Sequence, residues 1–320
     1  MYMFKYILKR IGLLIMTFTI IIVICFVLIK LLPINIDVQL GKDRDIIEAQ
    51  LRARGYFDPI PVQLFNYIKR IFTEGDFGVC VNIAQYRNKP VWDIFVEKLP
   101  PTVLINVYSS LIAVPVGIGL GIFDALKKNK WQDHTISTIV MVFISVPSFV
   151  YAFIVQYLIC FKLNWFPKTM NSGYDYFTWS MFKSMMPAVI SMSFGSIAGY
   201  ARFTRAELTE VLTSEFMLLA RTKGLTRAQA TTRHALRNAM VPIFPSIIGE
   251  FIGVLSGSLV IEKIFAIPGV GGLYLASINS MDYDFFMLLS GFYTLIGLAA
   301  GIVIDISYGI IDPRIRMGAK

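Results

Sequence analysis

Charge is what this chain has least of. Only 16% of its 320 residues are Asp, Glu, Lys or Arg, 56% are hydrophobic, and the mean hydropathy is +0.63. A water-soluble domain carries roughly 25% charged residues, so a soluble globule is excluded for want of polar surface. Cysteine is nearly absent too. Cys25, Cys80 and Cys160 are far apart and form no CxxC pair, which excludes a zinc ribbon and a disulfide framework. Two of them fall in apolar runs, where cysteine acts as a small buried hydrophobe. Histidine occurs twice, at His134 and His234, with no HExxH or other ligand spacing. No GxxxxGK[ST] phosphate loop exists, since Gly41-Lys42 is followed by Asp43. Gly117, Gly119 and Gly121 lack the third glycine of a dinucleotide fingerprint and suit close helix packing instead. With no Ser-His-Asp set either, the chain is expected to catalyse nothing and to hold no metal or cofactor.

What is present is long apolar sequence. A bilayer core about 30 Å thick needs about 20 mostly apolar residues in helix, because lipid offers no partner to an unpaired backbone group. Charge-free runs cover residues 11–29, 99–123, 135–161, 184–201 and 285–304, and residues 238–261 are interrupted once, by Glu250. The expectation is an all-α integral membrane protein with six spans, at 11–32, 99–123, 135–161, 184–201, 238–261 and 285–309. The first run follows Lys5, Lys9 and Arg10 as a signal peptide would. It exceeds the roughly 7–15 residues of a signal's apolar core, and it ends in Lys30-Leu31-Leu32-Pro33 rather than a cleavage site, so it reads as a retained span.

Six spans place both termini on one side. Segments 1–10, 124–134, 202–237 and 310–320 carry 16 basic and 6 acidic residues, whereas 33–98, 162–183 and 262–284 carry 13 of each. The basic side is cytoplasmic by the positive-inside rule, so both termini are expected in the cytoplasm. The net charge of +9 is thus accounted for by topology. No run of five or six like charges or aromatic-laced basic stripe points to nucleic acid.

Segment 202–237 is far longer than a connector needs to be. Ser214 is placed to cap a short helix that opens on Glu215 and continues through Phe216-Met217-Leu218-Leu219-Ala220. Gly224, after Arg221-Thr222-Lys223, is placed to end it, and Thr226-Arg227-Ala228-Gln229 forms a capping box for a second helix. An amphipathic helix of this kind lies on lipid or docks in a partner's groove, and composition leaves both open. In the fifth run Gly249, Gly253 and Gly257 form a small-residue ridge for helix packing. Glu250 stands beside it, and an acid at mid-depth costs on the order of 3 kcal/mol. It is therefore expected to face protein or a cavity, either on a translocation pathway, where it meets a cationic or N-terminal amino group, or in a contact with a partner. Segment 162–183, with Trp165, Tyr174, Tyr176 and Trp179, reads as an interfacial aromatic element.

Several words of the sequence resemble one family, the permease subunits of binding-protein-dependent ABC importers, specifically the B-type subunit of the oligopeptide/dipeptide/nickel class. They are Ala220-Arg221-Thr222-Lys223-Gly224-Leu225, Arg233-His234-Ala235-Leu236-Arg237-Asn238-Ala239 and Pro242. Glu262, Phe265, Pro268-Gly269, Gly271 and Leu273, then Asp305 and Asp312-Pro313-Arg314-Ile315-Arg316, continue the likeness. Gly75-Asp76-Phe77-Gly78, Pro90-Val91, Leu99-Pro100, Thr102, Ser145, Pro147, Phe149 and Trp165-Phe166-Pro167 extend it through the first half. Departures are Leu32-Pro33-Ile34-Asn35, the lack of a proline after Asp282-Tyr283-Asp284, and Leu218 and Leu219, where broader permeases have Glu and Ala.

The resemblance implies a type I ABC importer permease fold in a prokaryotic cell membrane, with the first short helix of 202–237 as the coupling helix. Gly224 would be its hinge and Ala220 a site of close docking, while Glu215, Arg221 and Arg237 would meet charges on an ATPase. The implied assembly adds a homologous second permease, two ATPase subunits that use ATP and Mg, and an extracytoplasmic solute-binding protein. Loop 33–98, with an amphipathic helix at 60–72, would contact the binding protein or lie as a scaffold over the membrane surface. Oligo- or dipeptides are the expected cargo, with nickel, an opine or another small solute as the alternative. Outside the class, the alternative is an autonomous secondary transporter or channel.

Overall fold

In the computed structural model, residues 2–32, 48–49, 52–53, 55–173 and 175–311 are described. The expectations for Pro33–Asn35, for Tyr174 and for Asp312–Arg316 lie outside them. Apart from one isolated bridge between Val79 and Pro90, the regular structure among these residues is helical. The helices are α1 (Tyr2–Leu31), α2 (Ile60–Glu74), α3 (Val91–Leu126), α4 (Trp131–Ser145), α5 (Ser148–Val155), α6 (Trp179–Leu212), α7 (Glu215–Thr222), α8 (Arg227–Ala230), α9 (Leu236–Gly253), α10 (Leu259–Ile264), α11 (Gly271–Asn279) and α12 (Tyr283–Ile311). Among the described residues, three helices are long and apolar enough to cross a bilayer, namely α1 from Tyr6, α3 and α12, and the pair α4–α5 makes a fourth if it is one bent span.

Two of the expected continuous spans are broken. Residues 135–161 are not one rod, because α4 and the helix that follows are bent by 102° at Val146-Pro147. Pro147 has no amide proton to donate and excludes α-helical geometry from the residue before it, and Val146 is accordingly extended (φ −85°, ψ 128°). A π-helical stretch, Gln156–Lys162, then ends α5. Residues 238–261 are interrupted as well. Helix α9 stops at Gly253, residues 254–258 are not helical, and α10 begins at Leu259. Polar side chains meet backbone carbonyls at the second break and beyond it. Asn106 Nδ2 donates to the freed carbonyl of Ser256 at 3.3 Å, and Gln156 Nε2 donates to Ile264 O at 2.7 Å and Lys168 O at 3.0 Å. Backbone left unpaired by a break is tolerated in a membrane only where protein supplies such partners.

The chain divides into two compact units, 1–100 with 268–299 and 101–267 with 300–320. In the first, Tyr67 of α2 packs with Phe26 and Ile29 of α1 and with Tyr283 and Met287 of α12. The acids before and within the start of α12 hold the 78–82 segment. Asp282 accepts from the amides of Val81 (2.7 Å) and Asn82 (2.9 Å), and Asp284 from that of Val79 (3.3 Å). Gly78 has φ +97°, and a side chain there would run into the Asp284 carboxyl group.

In the second unit α6 is central. Met185, Ala188 and Val189 bury against Ala152 and Val155 of α5 and against Ile261 and Phe265. Gly117 and Gly121 of α3 let α6 approach closely. A Cβ at Gly117 would meet Ile197 O at 2.8 Å, and one at Gly121 would meet Ala201 O at 2.6 Å, while Gly119 has nothing within 4 Å. At the end of this contact Arg205 of α6 bridges two buried carboxylates, Asp133 at 2.6 Å and Asp124 at 3.2 Å. Ser137 Oγ lies 3.2 Å from Asp124 Oδ2, and the Asn129 amide donates to Asp133 at 2.7 Å.

Two stability outcomes follow from this geometry. Gly121→Val should lower the unfolding temperature of the purified protein, because overpacking costs about 1–3 kcal/mol, while Gly119→Ala should leave it unchanged. Arg205→Met strands two buried carboxylates and should cost about 3 kcal/mol. Thermal unfolding in detergent measures all three, and equal behaviour of the two glycines would refute the α3–α6 contact.

Candidate functional site

Segment 202–237 folds as a helix, a glycine corner and a second helix. Helix α7 ends in paired backbone bonds, Gly224 N to Arg221 O at 3.0 Å and Leu225 N to Ala220 O at 3.4 Å, with Gly224 at φ +91°. This 5→2 and 6→1 pair is the glycine-terminated helix stop, which needs a left-handed residue at the corner. Beyond it Thr226 and Gln229 close a reciprocal capping box. Thr226 Oγ1 accepts from the Gln229 amide at 3.3 Å, and Gln229 Oε1 accepts from the Thr226 amide at 3.0 Å. Helix α8 then passes into a π-helical turn, Thr231–Ala235, which leads into α9.

Ser214 stands at the expected position, but its side chain does not cap α7. Its hydroxyl donates back to Val211 O at 2.7 Å, a carbonyl at the end of α6 that also accepts the Ser214 amide at 3.1 Å. Ala220 also departs from expectation. It is buried with Met217 against Leu208, Ala125, Ala230 and Ala235 of its own chain, so it holds α7 down rather than facing outward. The outward face is made by residues that sequence reasoning had not assigned to a site. Phe216, Leu218 (63% exposed) and Leu219 (54% exposed) are bare, and the Phe216 ring meets His234 edge-on at 5.7 Å. Helical phase separates the two sets, since Met217 and Ala220 are three apart on one side and Leu218 and Leu219 turn away. Glu215, Arg221 and Arg237 are exposed, and among the described residues they form no ion pair with their own chain.

Glu250 lies on α9, half-buried, and accepts a hydrogen bond from Ser196 Oγ of α6 at 2.9 Å. One helical turn away, Tyr200 of α6 donates to Ser246 O at 3.1 Å. Among the described residues no cationic side chain lies within ion-pair distance of Glu250. Gly249, next to it, faces α12, where a Cβ would meet Ile304 Cδ1 at 3.0 Å. Gly253 has nothing within 4 Å, and Gly257 lies in the break after α9. Within the described chain the close approach of this set is at Gly249, while Gly253 ends α9 beside open space and Gly257 lies outside the helix. The ridge in this unit is Gly117 with Gly121 instead. The sequence reads this cluster as a packing site, and of its three glycines Gly117 and Gly121 make the close approaches.

The chain is similar to known proteins over nearly its whole length. Residues 114–317 match the family "Binding-protein-dependent transport system inner membrane component", and residues 3–106 match "Binding-prot-dependent transport system membrane comp, N-term". The dipeptide transport system permease protein DppB of Lactococcus lactis subsp. cremoris (strain MG1363) is 34% identical over 315 residues, covering 98% of this chain and 100% of that protein. The oligopeptide transport system permease protein OppB of Salmonella typhimurium is 31% identical over 315 residues, with 98% and 100% covered. The glutathione transport system permease protein GsiC of Salmonella choleraesuis is 29% identical over 317 residues, with 98% and 99% covered. Among solved structures, an amino acid ABC transporter crystallised with histidines shares the fold, at TM-score 0.50 and 18% identity over 67% of this chain and 92% of that one. With its long apolar helices, its α7 corner and matches along almost its full length, the chain belongs to the family of binding-protein-dependent transport system inner membrane components.

Proposed function

We propose that this chain is the permease subunit of an ABC importer for oligo- or dipeptides in a prokaryotic cell membrane. The observation that carries the reading is the near-full-length similarity to dipeptide, oligopeptide and glutathione permeases. In this reading the chain crosses the membrane six times with both termini cytoplasmic. Together with a homologous second permease it encloses the pathway. Two separate ATPase subunits use ATP and Mg, an extracytoplasmic binding protein delivers the cargo, and this chain itself binds no nucleotide.

Helix α7 sits in a cleft of the ATPase and carries its closure to the spans. Phe216, Leu218 and Leu219 fill the cleft, because burying apolar surface is the main favourable term in association. Glu215, Arg221 and Arg237 meet charges at the rim, where exposed pairs are worth under about 1 kcal/mol each. Met217 and Ala220 fasten α7 to α6, and Gly224 sets its angle. The Arg205 bridge makes the adjoining ends of α3, α4 and α6 move together. Glu250 lies where α9 meets α6, with no ion-pair partner among the described residues, and its carboxyl group suits a passing ammonium group.

Two measurements test this. Leu218→Ser with Leu219→Ser, or Gly224→Val alone, should lower ATP-driven peptide uptake at least tenfold in proteoliposomes holding the assembled complex. The leucine pair should also weaken copurification of the ATPase, and wild-type uptake in both variants would remove the coupling assignment. Glu250→Gln should reduce uptake of lysine-containing peptides relative to neutral ones severalfold, without loss of assembly. An unchanged preference would leave Glu250 as a contact between helices only.

A further inference from the structure

Helix α2 carries more apolar surface than its own chain covers. At about 100° per residue, Ile60, Leu64, Tyr67 and Ile71 line one stripe, and this stripe packs with Phe26 and Ile29 of α1. The neighbouring stripe holds Phe65, Ile68 and Phe72, with Val62 beyond, and it is bare. Phe72 is 85% exposed and Phe65 66%. Gln63, Asn66, Lys69, Arg70, Thr73 and Glu74 occupy the rest of the circumference. The helix is therefore apolar around more than one face, and only one of those faces has a partner in the described chain.

The position of α2 along α1 says what covers the other face. Arg10 and Lys30 bracket the 19 charge-free residues 11–29 of α1. At about 1.5 Å per residue that run is about 29 Å long, the thickness of a hydrocarbon core, so Lys30 marks its boundary. Phe26 lies one turn inside that boundary, about 6 Å deep. The Tyr67 ring of α2 sits against it, with centroids 5.7 Å apart. Amphipathic helices that lie on membranes bury their apolar face about 5–10 Å into the headgroup–acyl boundary, and α2 is held at that depth by its contact with α1. The same end of α1 is itself bare at Leu28 and Leu31, so the apolar surface of the span continues onto α2. Lys69 lies at the edge of the bare stripe, where a long cationic side chain reaches the headgroups.

We propose that α2 is an interfacial helix, seated in the lipid leaflet where α1 ends, with Phe65, Ile68 and Phe72 among the acyl chains. The partner of this surface is the bilayer itself. Helix α2 thereby gives the first unit a second point on the membrane plane, which fixes its outer part against tilting. This proposal does not depend on the cargo.

The test uses the full transporter complex in nanodiscs of phosphatidylethanolamine and phosphatidylglycerol. Nitroxide labels are placed singly through Phe65→Cys, Phe72→Cys and, on the polar side, Asn66→Cys. Buried Cys80 and Cys160 and half-buried Cys25 set the labelling background in the unsubstituted protein. Labels at 65 and 72 should relax severalfold faster with oxygen than with a water-soluble nickel chelate, and the label at 66 should show the reverse. The proposal is overturned if position 72 matches position 66 in chelate access. It is also overturned if both reagents are excluded at 65 and 72, which marks a protein neighbour, or if oxygen access there disappears when the binding protein is added.

Discussion

In hydrocarbon, an amide or carbonyl without a partner has nowhere to turn, and the architecture of this chain is shaped by that constraint. It explains why the apolar runs are helical and why the break after α9 is attended by a polar side chain. Asn106 meets the carbonyl freed near Ser256, and Gln156 meets those of Lys168 and Ile264. Asn106 stands on α3 and Gln156 in the π-helical stretch after α5, so each carbonyl is met from another part of the chain. The break after α9 is therefore part of the fold, supported from outside the element that ends there.

The same scarcity of partners governs the charges. With so few, each has an identifiable setting. Asp124 and Asp133 are buried because Arg205 lies between them. Asp282 and Asp284 hold the backbone of residues 79–82. Glu262 accepts a hydrogen bond from Thr102 at 2.8 Å. Glu250 accepts from a serine, and among the described residues no cation lies within ion-pair distance of it.

Helix α7 illustrates how a short element is divided between two jobs. Its inner residues, Met217 and Ala220, are fixed to the body of the unit, and its outer residues, Phe216, Leu218 and Leu219, are left bare. Under the proposed coupling role, such a helix passes a displacement of whatever docks on its bare side to the side that is packed. The Gly224 corner and the capping box that follows it keep α7 short and its exit angle set.

Local sequence alone determined what depends on local bonds and on charge count. The long apolar helices, the stop at Gly224 and the Thr226 capping box were legible because their hydrogen bonds close within five residues. The amphipathic character of 60–72 was legible from its period. Tertiary structure decided the rest. It showed that Ala220 points inward, since helical phase fixes relative faces but not which face finds a neighbour. It showed that the hydroxyl of Ser214 serves the helix behind it rather than the one ahead. It ended α9 at Gly253, so that three evenly spaced glycines do not share a helix, and gave the close approach to Gly117 and Gly121. Arg205 joins aspartates 72 and 81 residues away in sequence, a separation that no periodicity can encode. Pro147 could have been read as a bend from its chemistry, yet the 102° angle depends on the packing of α5 against α6, which only the folded chain contains.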